Sequence, residues 1–205
     1  RISSIEPNLL EPSIIDYVSK SDRFQPHFHI PLQSGSDRIL KAMRRRYRTS
    51  LYAKRIERIR SNMPHASIGV DVITGFPGED DDAFQETYEF LQALPISYLH
   101  VFTYSERDKT TAVRMENTVP VSKRKERTKI LRTLSLKKQR AHYQQFLNIS
   151  REVLFEAATE DGLRFGYTPE YVRVGVDASE VEANEIANVK LKAIRANGYI
   201  LGSRT

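Results

Sequence analysis

Cysteine is absent from all 205 residues. Disulfides need paired cysteines, and iron–sulfur clusters need cysteine thiolates as ligands. The sequence therefore excludes a disulfide framework. It also predicts that this chain holds no thiolate-bound metal ion and no iron–sulfur cluster of its own.

Long apolar runs are also missing. No stretch of about 18 apolar residues occurs, and residues 1–20 lack the basic and then apolar arrangement of a secretory signal. Apolar residues nevertheless make up 40% of the sequence, which is enough for a hydrophobic core. We therefore expect a folded cytoplasmic protein without a membrane partner.

Charge is unevenly distributed along the chain. The net charge of +6 divides into +8 for residues 1–140 and −2 for residues 141–205, with basic residues concentrated at 41–60 and 123–140. Such clusters suit a polyanion, of which nucleic acid is the commonest, although helices with solvated Lys and Arg faces are an ordinary alternative.

Strand and helix patterns alternate in the first 140 residues. Strands are predicted at 1–6, 27–32, 67–74 and 97–104, and helices at 12–19, 36–46, 49–62, 80–94 and 121–146. This alternation favours parallel strands joined by right-handed crossovers. Residues 105–120 have no clear period and are expected to form a loop.

Beyond the last helix, apolar residues recur at every second position, which is the pattern of a β-strand. Short strands are predicted at 153–157, 163–167, 171–176, 186–194 and 199–202. Five such strands, separated by turns such as Asn197-Gly198, favour a small antiparallel barrel. We therefore predict two domains: an α/β domain at 1–140 that includes the long linker helix, and a barrel at 141–205.

The chain is organised around residues 67–79, SIGVDVITGFPGE. An apolar strand ends there in a turn of Gly75, Pro77 and Gly78, which opens the next helix. In α/β proteins ligands gather at the carboxyl ends of strands, so this turn is a candidate binding site. The same residues also suit a well-formed turn at a helix start without a ligand.

Polar residues near the predicted strands are further candidates. Gln33, Ser34 and Ser36 follow a strand and open a helix, where they suit a carboxylate, phosphate or ribose. Asp71 lies in an otherwise apolar strand and is expected to meet a hydroxyl, a base or a ligand, a structural pairing being equally compatible.

Two other groups of polar residues have ordinary structural interpretations. His27 and His29 share one strand face, and because no third ligand is nearby in sequence, packing or hydrogen bonding is favoured over metal binding. Tyr104, Arg107 and Lys109 follow the last strand of the α/β part and could face the same site.

Four motifs occur in order: ISSIEP at 2–7, HIPLQSGS at 29–36, DVITGFPGE at 71–79 and VFTYS at 101–105. Together they resemble those of methylthiotransferases of the radical S-adenosylmethionine (SAM) superfamily. The barrel segment resembles the TRAM module that ends these enzymes, so the resemblance covers essentially the whole chain. RISSIEP and HVFTYS are most similar to the enzymes that methylthiolate threonylcarbamoyladenosine in tRNA, and less similar to the isopentenyladenosine and ribosomal-protein enzymes.

The resemblance implies an α/β fold made of the later strands of a partial (β/α)6 radical barrel, followed by a five-stranded OB-like barrel. It also implies SAM and two 4Fe–4S clusters in a full-length enzyme, whose amino-terminal domain and CxxxCxxC loop this sequence does not contain. We therefore expect a carboxy-terminal part of such an enzyme, with no catalytic residue of its own, no bound cofactor and no activity alone.

By motif position, the resemblance implies roles for six cofactor-binding residues. Gln33 and Ser34 would approach the ribose or methionine part of the cofactor, and Arg45 would pair with the methionine carboxylate. Asp71 and the turn from Gly75 to Glu79 would line the ribose and adenine side.

The implied partner is tRNA. Candidate RNA contacts are Arg44, Arg46, Arg48, Lys123, Arg124, Lys125, Arg164, Tyr167, Tyr171 and Arg173. Strand tyrosines more often pack than bind, and two other function classes stay open: a non-catalytic RNA-binding module, and an α/β nucleotide-binding protein of another family. An unpaired edge near residues 1–6 further predicts self-association.

Overall fold

A computed structural model of the chain describes residues 1–106, 108 and 110–205. The helices of these residues are α1 (Pro12–Lys20), α2 (Asp37–Ala42), α3 (Thr49–Asn62), α4 (Asp81–Ala93) and α5 (Val121–Gln144), with a 3-10 turn at Thr111–Arg114. The strands are β1 (His27–His29), β2 (Ser67–Thr74), β3 (Tyr98–Thr103), β4 (Ser150–Glu160), β5 (Leu163–Tyr167), β6 (Arg173–Asp177), β7 (Ile186–Ile194) and β8 (Ile200–Arg204). Within this part of the chain, no helix is long and apolar enough to span a membrane.

The first three strands form a parallel sheet in the order β1-β2-β3. Successive side chains of a strand point to opposite faces, so the apolar residues of β2, such as Val70 and Val72, share one face. They pack in a buried core with Ile56 of α3, Leu91 of α4 and Leu131 of α5. The opposite face, called the polar face below, carries His27, His29, Asp71 and His100.

The predicted strand at residues 1–6 is wrong. Ile2 forms an isolated parallel bridge to Phe28, and the Ile5 amide donates one further hydrogen bond to the carbonyl of His29, but no regular strand forms. Ser4 has a φ of 52°, which is outside the extended region of a strand, and Pro7 follows shortly afterwards. The segment therefore follows the edge of β1 without extending the sheet.

The other edge of the sheet is covered by α5. The hydroxyl of Ser135 accepts a hydrogen bond from the amide of Leu99 at 2.8 Å and donates one to its carbonyl at 3.0 Å. Because one hydroxyl satisfies both outward backbone groups of Leu99, the long helix caps the strand at this point.

The last five strands form a closed barrel in the order β4-β5-β6-β8-β7. The predicted α/β part followed by a five-stranded barrel is confirmed, but the barrel is not wholly antiparallel. Strands β6 and β8 are parallel, with Val174 opposite Ile200. An odd number of strands cannot alternate in direction around a closed ring, so at least one neighbouring pair must be parallel.

Helix α5 continues past the predicted domain boundary at residue 140. Tyr143, in its last turn, and Phe146, just beyond its end, are buried in the core of the barrel. The division at residue 140 stays a prediction, and the helix links the sheet and the barrel physically.

The barrel lies against the amino ends of β1 and β3. Tyr171 stacks on His27 with ring centroids 4.3 Å apart, and it also lies 6.0 Å from the ring of Tyr98. Arg1 donates hydrogen bonds to the carbonyls of Thr168 and Pro169. The carboxyl ends of the strands therefore face away from the barrel.

Candidate cofactor site and RNA-facing surfaces

A pocket of about 200 Å³ lies beyond the carboxyl ends of β2 and β3. Its walls include Arg45, Ile73, Phe76, Tyr104 and Met115. Phe76 and Tyr104 meet edge to face, with ring centroids 5.5 Å apart. A second pocket, of about 390 Å³, shares Ile73 and Tyr104. Small-molecule sites of α/β proteins occur at this end of the strands.

Two buried polar atoms of the 200 Å³ pocket lack a partner. Among the described residues, the Nε of Arg45 and the hydroxyl of Tyr104 make no hydrogen bond. Buried polar groups are nearly always hydrogen-bonded, so these two atoms are suited to a polar ligand. Arg45 also donates from Nη1 to Glu6 at 3.0 Å, which holds the guanidinium in place.

The end of α2 aims Arg45 inward and Arg44 outward. The amide of Arg44 donates to Lys41 and the amide of Arg45 donates to Leu40, which is the Schellman pattern of helix termination. Arg44 occupies the left-handed position with a φ of 57°, where glycine is usual. Neighbouring arginines therefore differ in exposure: Arg45 is partly buried at the pocket, whereas Arg44 is exposed at its rim.

Three of the predicted cofactor residues are engaged by protein groups. Ser34 is completely buried, and its hydroxyl lies 3.2 Å from that of Thr87. Glu79 is 3% exposed and accepts hydrogen bonds from the Gly75 amide at 2.8 Å and from Arg127 at 2.7 Å. Burial raises the pKa of Glu79, although the Gly75 amide and the Arg127 guanidinium oppose this shift.

The need for glycine at position 75 comes from helix packing. Gly75 has a φ of +77°, and a Cβ there would lie 2.2 Å from Cγ of Arg124. Arg124 itself is buried and donates to the carbonyls of Val119 and Tyr104. The turn thus makes room for the stem of an arginine from α5.

Gln33 and Asp71, unlike those three residues, are partly exposed. Gln33 has a φ of 73°, and its backbone amide donates a hydrogen bond to the backbone carbonyl of Asp71 at 2.9 Å. Of the alternatives expected for Asp71, namely a hydroxyl, a base, a ligand or a structural pairing, the structure shows a pairing with a histidine: Oδ1 of Asp71 lies 2.7 Å from Nε2 of His29. A contact with the cofactor stays a prediction. The hydroxyl of Ser4 lies 3.2 Å from the other ring nitrogen of His29.

His100 completes a cluster that sequence reasoning missed. The ligand atoms of His29, Asp71 and His100 all lie within 4.8 Å of one another. Asp71 and His100 are each the sole charged or imidazole residue of their strand, which was the available signal. Burial lowers the pKa of His100, although Asp71 opposes this shift. His27 is not part of this cluster, and its Nε2 is hydrogen-bonded to the hydroxyl of Tyr98 at 2.8 Å.

The predicted RNA contacts of the α/β part differ in their availability. Arg44, Arg46, Arg48 and Lys125 are exposed, and in the described part of the chain none forms an ion pair. Lys123 pairs with Asp81 at 2.5 Å, and Arg124 is buried as described above. Tyr104 lines the pocket, as was considered from the sequence. Arg107 and Lys109, for which the same position was considered, lie outside the described residues.

The predicted RNA contacts of the barrel are largely packed against protein. Arg164 donates to the carbonyls of Ala157 and Val181 at 2.8 and 3.0 Å. Arg173 lies 4.2 Å from the ring centroid of Phe165. Tyr167 and Tyr171 stack on each other at 4.7 Å.

The outer face of α5 forms a longer basic surface. Lys125, Lys129, Arg132 and Arg140 are exposed. At 3.6 residues per turn they fall within an arc of about 80° and span roughly 22 Å. Among the described residues none of these four cations has an ion-pair partner.

Comparisons with known proteins agree with the motifs. Residues 2–91 match the family model of the Radical SAM superfamily. A threonylcarbamoyladenosine tRNA methylthiotransferase of Bacillus subtilis is 37% identical over 195 residues, which is 93% of this chain and 43% of that relative. The Thermotoga maritima protein of the same name is 36% identical over 200 residues, 98% of this chain and 46% of the relative. A tRNA-2-methylthio-N(6)-dimethylallyladenosine synthase of Bartonella tribocorum is 33% identical over 201 residues, 98% of this chain and 44% of the relative.

This chain is related to the radical SAM methylthiotransferases. The resemblance drawn from its motifs is thereby confirmed. The chain spans less than half the length of the relatives described above.

A solved structure supports the fold assignment of this chain. Coproporphyrinogen III oxidase from Escherichia coli, described as a radical SAM enzyme, matches with a TM-score of 0.55 at 15% identity. The match covers 66% of this chain and 31% of that one. At this identity the likeness concerns the fold alone.

Radical SAM enzymes use SAM and iron–sulfur clusters. The residues of this chain are compatible with binding part of SAM but not with binding a cluster. A cluster needs thiolates, which the sequence does not offer. The 200 Å³ pocket does fit part of a polar organic cofactor, because Arg45 and Tyr104 supply buried donors there that have no partner in the part of the chain that the structure describes.

Proposed function

We propose that this chain is part of a cytoplasmic tRNA methylthiotransferase acting on threonylcarbamoyladenosine, and that it supplies one wall of the SAM site and an RNA-binding surface. The observation that carries the proposal is the pocket at the carboxyl ends of β2 and β3, where the Arg45 Nε and the Tyr104 hydroxyl have no hydrogen-bond partner among the described residues. Support also comes from relatives of that name at 36–37% identity over nearly the whole chain.

When bound, SAM together with an iron–sulfur cluster supplies the radical chemistry of such enzymes. The part of this chain is to bind and orient the cofactor. Arg45 offers a planar guanidinium to a carboxylate, and Gln33 offers an amide close to the same strand ends. Ser34, Gly75 and Glu79 act indirectly, because their contacts fix the loop and the turn that frame the pocket.

Catalysis by the 205 residues alone is not expected. The two 4Fe–4S clusters of the proposed enzyme would have to be held by cysteines that this sequence does not contain. We therefore propose that the purified chain carries no iron and has no methylthiotransferase activity.

The proposed RNA surface combines the arginines after α2 with the outer face of α5. Arg44 and Arg45 both line the 200 Å³ pocket, so the exposed Arg44 lies at its rim, with Arg46 and Arg48 nearby in sequence. Phosphates contacted at this rim would bring a nucleotide close to the cofactor. The barrel contributes less to this surface, because its predicted contacts are packed and its net charge is −2.

Fluorescence anisotropy with a labelled tRNA, measured over a salt series, tests this surface. Replacing Arg44, Arg46 and Arg48 together by Ala should weaken binding at least about tenfold and reduce the slope of log affinity against log salt by roughly 2 to 3. The matched control replaces the exposed barrel cations Lys190, Lys192 and Arg195 by Ala, which removes the same charge.

The control triple variant and the pair Arg164→Ala with Arg173→Ala should each weaken binding less than about threefold. Equal losses in the rim and control variants would mean that only net charge matters, and the proposed surface would then be wrong.

A further inference from the structure

We propose that His29, Asp71 and His100 form a binding site for a divalent transition-metal ion of the zinc type, on the polar face of the sheet. This inference goes beyond the proposed function, since it needs neither SAM nor RNA. It rests on how the three parallel strands align their side chains.

Strand register brings the three residues together. Asp71 lies directly opposite His100 in the pairing of β2 with β3, and His29 lies opposite Gly69 in the pairing of β1 with β2. Gly69 and Asp71 share a face because they are two residues apart. All three side chains therefore emerge on one face, and their ligand atoms lie within 4.8 Å of one another.

The donor set suits a transition metal. Two imidazoles and one carboxylate are common ligands of zinc in open sites and of other first-row divalent ions. Zinc-to-ligand distances of about 2.0–2.2 Å place tetrahedral ligands about 3.3 Å apart. His29 and Asp71 are now 2.7 Å apart and would separate slightly, whereas His100 is exposed and can move toward them.

Ser4 provides the outer support that histidine ligands usually have. Its hydroxyl lies 3.2 Å from Nδ1 of His29, which leaves Nε2 directed at Asp71. A hydrogen bond to the second ring nitrogen fixes the orientation of a metal-binding imidazole and typically contributes 10- to 100-fold in affinity.

Other side chains of the chain offer little competition for the ion. The sequence has no cysteine and five histidines. His27 is bonded to the hydroxyl of Tyr98, and His142 is buried with Nε2 donating to the carbonyl of Glu170 at 3.1 Å. His65 is exposed and outside the cluster, so it provides a matched control.

The test is titration of the tag-free chain with Zn²⁺ by calorimetry and with Co²⁺ by visible absorption. We expect one ion per chain with a dissociation constant in the micromolar range or below, and Co²⁺ bands typical of histidine and carboxylate ligands. His100→Ala should weaken binding at least tenfold, Ser4→Ala should weaken it about tenfold by releasing the His29 ring, and His65→Ala should change it less than twofold.

The thermal unfolding midpoint of each metal-free variant serves as the control for correct folding. His100 is exposed, so His100→Ala should unfold at the same temperature as the wild type without metal. Zn²⁺ should raise the thermal midpoint of the wild type and of His65→Ala by similar amounts, and that of His100→Ala by less. Absence of one-to-one binding would overturn the proposal. So would undiminished binding by a folded His100→Ala, or equal losses in His100→Ala and His65→Ala.

Discussion

At the scale of single residues, buried imidazoles mark the junction between the sheet and the barrel. His27 is stacked on Tyr171, and His142 packs edge to face on Phe146 with centroids 5.2 Å apart. Burial lowers the pKa of each imidazole to about 4. Both rings are therefore uncharged in the folded protein at neutral pH.

Acid should destabilise this junction. An unfolded histidine has a pKa near 6.5, so between about pH 6.5 and 4 the unfolded chain binds protons that the folded chain does not. The free energy of unfolding should then decrease as pH falls, by at most about 1.4 kcal/mol per pH unit for each imidazole. Urea unfolding at pH 7.5 and pH 5 measures this change.

His142→Gln isolates the contribution of one ring. Glutamine can still donate to the carbonyl of Glu170 but does not titrate, so the variant should lose less stability between the two pH values than the wild type. His65→Gln, at an exposed position, should behave as the wild type does. The same pH dependence in all three proteins would contradict the assignment.

Single residues were predictable from sequence only where their partners are local. Asp71 was singled out correctly as a carboxylate that needs a partner, but His29 and His100 reach it through strand register, which no spacing reveals. Glu79 was expected at the cofactor for its place in the turn. Its buried partner Arg127 is 48 positions away, on a helix whose orientation the pattern leaves open.

At the scale of elements, α5 fixes the turn between β2 and α4. Arg127 donates to the backbone carbonyl and the carboxylate of Glu79 and also to Asp81, while the stem of Arg124 fills the space beside Gly75. A buried charged pair with several hydrogen bonds positions a segment well, whatever its net contribution to stability. The pocket wall that the turn forms therefore depends on the long helix.

Substitution of two glycines in the turn distinguishes the effect of backbone strain from the effect of side-chain packing. Gly75 and Gly78 both have positive φ, but a Cβ would strike Arg124 at the first position and meets nothing within 4 Å at the second. Gly78→Ala should cost about 1–2 kcal/mol of unfolding free energy through backbone strain. Gly75→Ala should cost about 1–3 kcal/mol more, because it also overpacks.

Urea unfolding of both variants at pH 7.5 measures the difference. Equal destabilisation would mean that the contact between the turn and Arg124 contributes nothing to stability, and that α5 does not fix the turn.

Helices and strands with a clear apolar periodicity were predicted with the right bounds. Residues 1–6, and the strand pairing that the closed barrel imposes, were not. The patterns gave α3 (Thr49–Asn62) and β2 (Ser67–Thr74) residue for residue, since both have clear apolar periodicity. They failed at residues 1–6, where Ser4 leaves the extended conformation, and at β8, whose parallel pairing follows from barrel closure.

At the scale of the whole molecule, the barrel and the candidate cofactor pocket lie at opposite ends of the sheet. Tyr171 packs at the amino ends of the strands, whereas Arg45 and Tyr104 lie beyond their carboxyl ends. Helix α5 runs between these ends and presents its basic face to solvent. Self-association through the edge near residues 1–6 stays a prediction, as does the domain division at residue 140.

The proposed enzyme, of which this chain would be a part, methylthiolates threonylcarbamoyladenosine in tRNA. The most direct test of this proposal replaces the matching segment of the Bacillus subtilis relative by this chain. The chimaera is expressed in cells that lack their own enzyme, and their tRNA is hydrolysed and examined by nucleoside mass spectrometry. Iron content equal to that of the parent enzyme serves as the control for assembly.

We expect the chimaera to form the 2-methylthio derivative of threonylcarbamoyladenosine, and the Arg45→Ala chimaera not to form it. Formation of 2-methylthio-isopentenyladenosine instead would favour the alternative substrate. An iron-loaded chimaera that leaves threonylcarbamoyladenosine unmodified would contradict the account.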